Sequence, residues 1–284
     1  MEALNPDDVR DAVRRALTED IGQGDVTTLA TVPERTIAQA LMIAREPLVL
    51  AGLTFAETAF RELSKELQIE RLARDGAHLE KGASILRVSG PARPILSAER
   101  VALNFTQRLS GIATLTAQFV RAIRDTRAHI LDTRKTTPGW RRLEKYAVAC
   151  GGGHNHRFGL FDMVLIKDNH LAALKLESPN AIEAAVRRAR QHCPNLKIEV
   201  EADTLEQVKQ AVEVGADLIL LDNMSLEQLR AAVAIVADKA KTEASGGVTL
   251  ATVRAIAETG VDFISVGALT HSARAVDIAL DFEL

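Results

Sequence analysis

The second half of the chain repeats one pattern six times, in which a short apolar segment is followed by an amphipathic segment with helical spacing. The six apolar segments are 129–132, 163–167, 197–201, 217–221, 242–245 and 263–266. Six such units in series predict a parallel β-sheet, and the short repeats of the later part favour a barrel over a doubly wound sheet. No glycine-rich dinucleotide fingerprint follows any of these segments, which weakens a Rossmann interpretation further.

The first half of the chain has a different texture. Asn5 and Pro6 predict the start of a helix that runs to about Asp20, because a capping side chain precedes a proline at the first helical position. Residues 21–28 are predicted to be a glycine-punctuated loop, and 36–90 alternate short β-like runs with turns. The N-terminal part is therefore predicted to be a small α+β domain.

Two further segments set the expected domain boundaries. Apolar residues recur at helical spacing over 97–125, which predicts two bridging helices broken near Ser110 and Gly111. Residues 274–284 alternate like one more strand, which we expect to return to the N-terminal domain. The expected domains are 1–110 together with 270–284, and a barrel domain over 111–269.

Composition narrows the function classes. The 284 residues are 47% hydrophobic and carry a formal net charge of -3, which excludes a disordered chain and a global positive field for nucleic acid or membrane. Residues 1–10 lack the apolar run of a signal peptide, and no segment approaches the roughly 20 apolar residues of a membrane span. Cys150 and Cys193 lie outside CxxC and zinc spacings, which predicts reduced thiols in a cytoplasmic protein.

Polar residues follow the ends of the predicted strands, where β/α barrels carry their functional side chains. Arg134 is suited to clamp a carboxylate and Lys135 to act as a point charge on a phosphate, unless both belong to a solvated turn. Lys167 ends an apolar strand, and a structural salt bridge, an anionic substrate and a Schiff base are all open interpretations. Glu201 and Asp222 either hold Mg²⁺ together with substrate phosphates or pair with neighbouring cations.

Three glycine segments complete the predicted site. The run 151–153 allows backbone to approach a ligand closely and delivers His156 and Arg157 together, although glycine also ends helices. Segments 245–247 and 265–268 follow the last two strands, where barrels build phosphate sites from backbone N–H groups. Simple tight turns are the alternative for these two segments.

Five strings occur in order: GDVTT (24–28), LDTRKTTPG (131–139), GGGHNHR (151–157), LIKDNH (165–170) and EASGG (243–247). With them, the chain resembles the quinolinate phosphoribosyltransferase family over nearly its whole length. The resemblance implies a Mg²⁺-dependent reaction of quinolinate with phosphoribosyl pyrophosphate that gives nicotinate mononucleotide, pyrophosphate and CO₂ in NAD biosynthesis. It also implies an N-terminal sandwich domain, an open α/β barrel of six to seven strands, and head-to-tail dimers or hexamers.

The resemblance further implies the roles of individual residues. Those expected to hold quinolinate are Thr133, Arg134, His156, Arg157, Lys167 and Arg100 of the partner subunit. Those expected to meet the phosphoribosyl group are Lys135, Glu201, Asp222, Ser245, Gly246, Gly247, Ser265 and Gly267. Lys135, Lys167, Glu201 and Asp222 are the expected catalytic residues, the last two also holding Mg²⁺. The alternatives are a paralogous transferase associated with molybdate transport, a Schiff-base lyase using Lys167, and a binding protein without turnover.

Overall fold

The computed structural model describes residues 4–178 and 180–283. These residues form two compact units. The first consists of 4–117, 138–152 and 272–283, and the second of 118–137, 153–178 and 180–271. One helix, α4 (Ala92–Ala122), belongs to both.

The first unit is built on an antiparallel sheet. Besides α4, its elements are α1 (Pro6–Ile21), α2 (Val26–Thr31), β1 (Ile37–Ala44), β2 (Leu48–Val49), α3 (Leu53–Leu63), β3 (Gln68–Arg71), β4 (His78–Leu79), β5 (Ser84–Pro91), α5 (Arg141–Cys150) and β12 (Ile278–Glu283). The sheet has the order β12-β1-β5-β3, and β2 and β4 form a separate pair. Burial alternates along β1, as expected for a strand with one face on a core. The C-terminal strand β12 pairs with β1, from Ala44 opposite Ile278 to Gln39 opposite Glu283.

Local signals account for α1 as the sequence predicts it. The Asn5 side chain accepts a hydrogen bond from the Asp7 N–H at 2.9 Å, and Pro6 occupies the first helical position. Val9, Val13 and Leu17 are buried, and their spacing of four residues places them on one face of the helix.

The second unit is a parallel α/β structure. Its elements are β6 (His129–Leu131), β7 (Val164–Ile166), α6 (Asp168–Ala173), α7 (Ala181–His192), β8 (Ile198–Ala202), α8 (Leu205–Glu213), β9 (Leu218–Asp222), α9 (Leu226–Val236), β10 (Lys241–Ser245), α10 (Val253–Ala257), β11 (Phe263–Ser265) and α11 (Ala268–His271). The six strands have the order β6-β11-β10-β9-β8-β7. Among the described residues β6 and β7 are not hydrogen-bonded to each other, so the sheet is open there. The predicted fold, an N-terminal α+β sandwich domain followed by an open parallel α/β barrel of six to seven strands, is confirmed. The parallel sheet has six strands, and the N-terminal sheet is antiparallel.

Two local predictions for the first half were wrong. Helix α4 is continuous through Ser110 and Gly111. The glycine allows a close backbone contact instead of a helix break, since a Cβ there would lie 1.9 Å from the Arg274 carbonyl oxygen. Ser110 stays helical while its hydroxyl accepts from the Ala51 N–H at 2.9 Å. The predicted loop 21–28 also ends early, because the Asp25 side chain caps α2 by accepting from the Thr28 N–H at 2.9 Å.

No helix in the described part of the chain has both the length and the apolar character needed to cross a membrane.

Candidate active site

The residues that follow β6 are anchored by a buried carboxylate. Asp132 is completely buried and accepts hydrogen bonds from the His156 N–H at 2.9 Å and from the Asn155 amide at 2.6 Å. His154 bridges to Leu131 like a short parallel strand at the free edge of β6. The glycine-rich segment therefore lies along β6, which fixes the start of the Arg157 side chain relative to the strand.

A cluster of buried ionisable groups lies inside the second unit. His156 Nε2 is 3.0 Å from a Glu199 oxygen on β8 and 3.4 Å from a Glu243 oxygen on β10. We call His156, Glu199 and Glu243 the deep cluster; both glutamates are fully buried. Barrel interiors are ordinarily filled with branched apolar side chains, so this polar interior is a departure.

The deep cluster has a defined charge distribution. Burial disfavours the charged form of His156, but the two glutamates outweigh it and raise its pKa to about 10. The backbone N–H of Arg157 donates a hydrogen bond to His156 Nδ1 at 2.7 Å. This contact acts in the other direction, because it disfavours a proton on that nitrogen. The carboxylates prevail because two of them act on one ring in a buried setting. Burial, and next the charge of Glu243, raise the pKa of Glu199, because a second carboxylate in the same buried setting disfavours the ionised form of Glu199.

Two arginine side chains lie close together next to the deep cluster. The Nε atoms of Arg134 and Arg157 are buried, and neither has a hydrogen-bond partner among the described residues. Burial, and then the charge of Arg134, lower the pKa of Arg157. Arg157 also donates through Nη1 to the Met163 carbonyl at 3.2 Å. Because a buried N–H without an acceptor is costly, the two Nε groups make the pair suited to bind carboxylate or phosphate.

A second group of ionisable residues lies at the C-terminal ends of β8 and β9. Oxygens of Glu201, Asp203 and Asp222 all lie within 4.8 Å of one another, and we call these residues the acidic cluster. Burial, and then the charges of Glu201 and Asp203, raise the pKa of Asp222. The sequence interpretation had missed Asp203, although Glu199, Glu201 and Asp203 follow the two-residue period of one strand face.

Lys167 is accessible although it follows an apolar strand. Its side chain is 46% exposed and its Nζ lies 2.5 Å from a Glu201 oxygen. The lysine follows the last residue of β7, whose open edge leaves its side chain accessible. The ion pair joins β7 to β8 and still leaves the ammonium accessible to a ligand.

The two glycine loops lie at the ends of β10 and β11. Gly246 and Gly247 have φ of 98° and 59°, the left-handed region in which glycine is favoured. At Gly267 a Cβ would lie 3.1 Å from the Cδ of Lys135, so the lysine side chain crosses this glycine. The Thr270 hydroxyl donates to the Lys135 carbonyl at 2.7 Å, which holds the β6 and β11 loops together.

Most of the sequence-predicted site residues share this end of the second unit. Thr133 accepts from the Lys135 N–H at 3.1 Å, and the buried Ser265 hydroxyl donates to the Ala244 carbonyl at 3.5 Å. Arg100 is exposed on α4 in the first unit. Sequence reasoning also missed Glu243 and Asn223, whose neighbours become apparent only in the folded chain.

Two neighbouring arginines, an acidic cluster and two glycine loops lie at the C-terminal ends of parallel strands, where α/β enzymes carry their active sites. Family models agree with this class. The model described as "Quinolinate phosphoribosyl transferase, C-terminal domain" matches residues 112–281, and the corresponding N-terminal domain matches 25–110. The chain belongs to the quinolinate phosphoribosyltransferase family.

Individual relatives are similar over almost their full length. The nicotinate-nucleotide pyrophosphorylase (carboxylating) of Mycobacterium leprae is 47% identical over 281 residues, which cover 97% of each chain. The probable enzyme of the same name from Bacillus subtilis is 45% identical over 267 residues, covering 94% of this chain and 90% of the relative. The solved nicotinate-nucleotide pyrophosphorylase from Francisella tularensis superimposes with a TM-score of 0.93 at 42% identity, covering 99% of this chain and 98% of that one.

Proposed function

We propose that this chain transfers the phosphoribosyl group of phosphoribosyl pyrophosphate to quinolinate with loss of CO₂, giving nicotinate mononucleotide and pyrophosphate. The observation that carries the proposal is the pair of half-buried arginines, Arg134 and Arg157, whose buried Nε atoms have no hydrogen-bond partner among the described residues. Quinolinate offers two adjacent carboxylates, and a guanidinium binds a carboxylate with paired N–H donors. The names of the relatives support the same activity.

The donor is assigned to the acidic cluster and the glycine loops. Lys135 lies against Gly267, which places a cation beside backbone N–H groups suited to a phosphate. Glu201 and Asp222 present carboxylates suited to ribose hydroxyls and to the positive charge that develops on the ribose carbon. Ser245, Gly246 and Gly247 are assigned to the 5'-phosphate.

The acidic cluster fits Mg²⁺. Its oxygens are hard ligands within 4.8 Å of one another. Burial, and then the charges of Glu201 and Asp203, raise the pKa of Asp222, and a bound cation would offset those charges. Glu201 and Asp222 would hold the ion, with Asp203 as a third candidate. An ion held there with the donor would supply positive charge that offsets the charge of the leaving pyrophosphate.

The residues of the chain then account for the remaining steps. Arg134 and Arg157 orient quinolinate so that its ring nitrogen faces the ribose carbon, and the carbon–oxygen bond to pyrophosphate breaks as the carbon–nitrogen bond forms. Lys135 and Lys167 are the cations placed to neutralise the leaving oxygens. The ribosylated ring is positively charged, so it accepts the electron pair released when the adjacent carboxylate leaves as CO₂, and a proton then replaces that carboxylate.

A Schiff-base lyase is disfavoured by one contact. The Lys167 ammonium lies 2.5 Å from a Glu201 carboxylate oxygen, and an ammonium paired in this way is a poor nucleophile. The paralogous transferase would share the fold and use another substrate, so quinolinate use is what separates it from the proposed enzyme.

The family resemblance also leads us to propose a cytoplasmic homodimer or hexamer in which Arg100 of the partner subunit reaches quinolinate. Mixing subunits that carry Arg100→Ala with subunits that carry Lys167→Ala tests this shared site. Partial recovery of activity is expected, because one intact site is rebuilt in each mixed dimer. A mixture as inactive as its components would contradict the shared site.

The proposed activity is tested by incubating the protein with quinolinate, phosphoribosyl pyrophosphate and Mg²⁺ and measuring nicotinate mononucleotide by chromatography. Nicotinate replaces quinolinate in the control, and product is expected from quinolinate alone. Arg134→Ala should lower kcat/KM for quinolinate by a factor that corresponds to about 2 to 5 kcal/mol. The Arg230→Ala variant, changed at an exposed position, should have the wild-type kcat/KM. Product from neither acid, with the protein folded, would contradict the proposal.

A further inference from the structure

Asn223 connects the acidic cluster to the glycine loop 245–247, and the proposed function assigns it no role. It follows Asp222, the last residue of β9, and its N–H donates to the Ser245 carbonyl at 2.9 Å. Asp222 and Ser245 are themselves register partners of β9 and β10. The contact therefore extends the pairing of the two strands into the loops that follow them.

The backbone of Asn223 has a specific conformation. Its φ is 53°, in the left-handed region that asparagine tolerates better than most residues other than glycine. This conformation turns the chain away from the strand direction immediately after Asp222. The side chain is thereby directed back toward the carboxylate that precedes it.

The side chain of Asn223 contacts both neighbours. Its amide nitrogen donates to an Asp222 oxygen at 2.6 Å. Its amide oxygen packs against Gly246: a Cβ on residue 246 would lie 2.1 Å from this oxygen, so only glycine leaves room for it. The amide therefore lies between the Asp222 carboxylate and the backbone of the glycine loop.

The residue type fits this position. Asp222 already lies near Glu201 and Asp203, so an aspartate at 223 would add another negative charge to the acidic cluster. An amide supplies a donor to the Asp222 carboxylate at 2.6 Å and adds no charge of its own. A β-branched or larger apolar residue would offer no donor and would not adopt this backbone conformation easily.

We infer that Asn223 is a positioning residue that holds the Asp222 carboxylate and the glycine loop 245–247 as one binding element for the phosphoribosyl donor. The inference rests on the proposed function, because it assigns both neighbours to that donor. We therefore expect a change at Asn223 to weaken donor binding and not quinolinate binding, which is assigned to Arg134 and Arg157.

Two variants separate the side chain from the backbone. Asn223→Gly keeps access to the left-handed conformation and removes the amide, whereas Asn223→Asp keeps the shape and replaces the donor with an acceptor. Asn195→Gly is the matched control, since Asn195 is exposed in the turn between α7 and β8, at the other end of the strand from Glu201.

The measurements are calorimetric dissociation constants for phosphoribosyl pyrophosphate with Mg²⁺ and, separately, for quinolinate. Both Asn223 variants should bind phosphoribosyl pyrophosphate about tenfold more weakly, the loss expected for one hydrogen bond to a charged group. Quinolinate affinity should stay within about twofold of wild type, a split that general damage to the fold would not produce. Asn195→Gly should match wild type for both ligands.

The inference is overturned if Asn223→Gly binds the donor as wild type does, or if both ligands weaken equally. It is also overturned if wild type does not bind the donor at all. Wild type that binds the donor but forms no nicotinate mononucleotide contradicts the proposed function only, and the affinity ratios then still decide the role of Asn223.

Discussion

The deep cluster and the acidic cluster take two side chains from the same strand and use them in opposite ways. Glu199 and Glu201 lie two residues apart on β8, so they share one face of the sheet. Glu199 meets His156 in a buried setting, whereas Glu201 joins Asp203, Asp222 and the half-exposed Lys167. The carboxylates of the deep cluster have an imidazolium between them, whereas the acidic cluster has three carboxylates and one ammonium, an excess of negative charge that a ligand can neutralise.

The difference indicates that the deep cluster stabilises the fold and that the acidic cluster binds ligand. A buried charge is stable only with its partner present, so the deep cluster should contribute to folding and to the placement of Arg157. Carboxylates that repel one another in the partly buried acidic cluster should instead lower the stability of the ligand-free protein and contribute to function. Variants in the two clusters are therefore expected to change different measured quantities.

The largest effect is expected from His156→Ala. Removing the imidazole leaves Glu199 and Glu243 buried without their cation, which should lower the free energy of unfolding by about 3 to 5 kcal/mol at pH 7 in urea titrations. His154→Ala is the control, because His154 is exposed and should change stability by less than about 0.5 kcal/mol. Equal losses in the two variants would remove the distinction between the clusters.

The sequence predicts the strands and helices that carry the two clusters better than it predicts the side-chain contacts within them. Period-two and helical spacing locate strands and helices, and strand ends locate Arg134, Glu201 and Asp222, because those patterns are local. The partner of His156 on β10 and the exposure of Lys167 depend on how distant strands meet, which no local pattern contains. Gly111 shows the same limit, since its reason is an approach by the Arg274 carbonyl rather than a helix break.

A smaller, pH-dependent effect should sharpen the assignment of charge in the deep cluster. The pKa of His156 is raised to about 10 from an ordinary 6.5, so its stabilisation is complete below about 6.5 and is lost as pH rises toward 10. One proton changes the free energy of unfolding by at most about 1.4 kcal/mol per pH unit, which allows a loss of roughly 2 kcal/mol between pH 7 and 9. Urea titrations at pH 7, 8 and 9 measure it.

Glu243→Gln isolates this contribution from other titrating groups. The amide retains the shape but removes one of the two carboxylates that favour the imidazolium, so the stability of the variant should fall less steeply with pH than that of wild type. The exposed Glu213→Gln should keep the wild-type slope. Parallel curves for Glu243→Gln and wild type would show that Glu243 does not hold the proton on His156.

The smallest effect, and the one with the opposite sign, is expected from Asp222→Asn. Burial and the charges of Glu201 and Asp203 raise the pKa of Asp222, so its ionised form at pH 7 opposes folding, and a neutral amide should stabilise the ligand-free protein by up to about 1 kcal/mol. The exposed Asp203→Asn should act in the same direction but less, and Asp222→Asn should also lose turnover. Thermal unfolding with and without Mg²⁺ and phosphoribosyl pyrophosphate measures both aspects, since these ligands should stabilise wild type more than Asp222→Asn. A ligand-free Asp222→Asn protein less stable than wild type would mean that this carboxylate supports the fold as the deep cluster does, and the two clusters would no longer differ in kind.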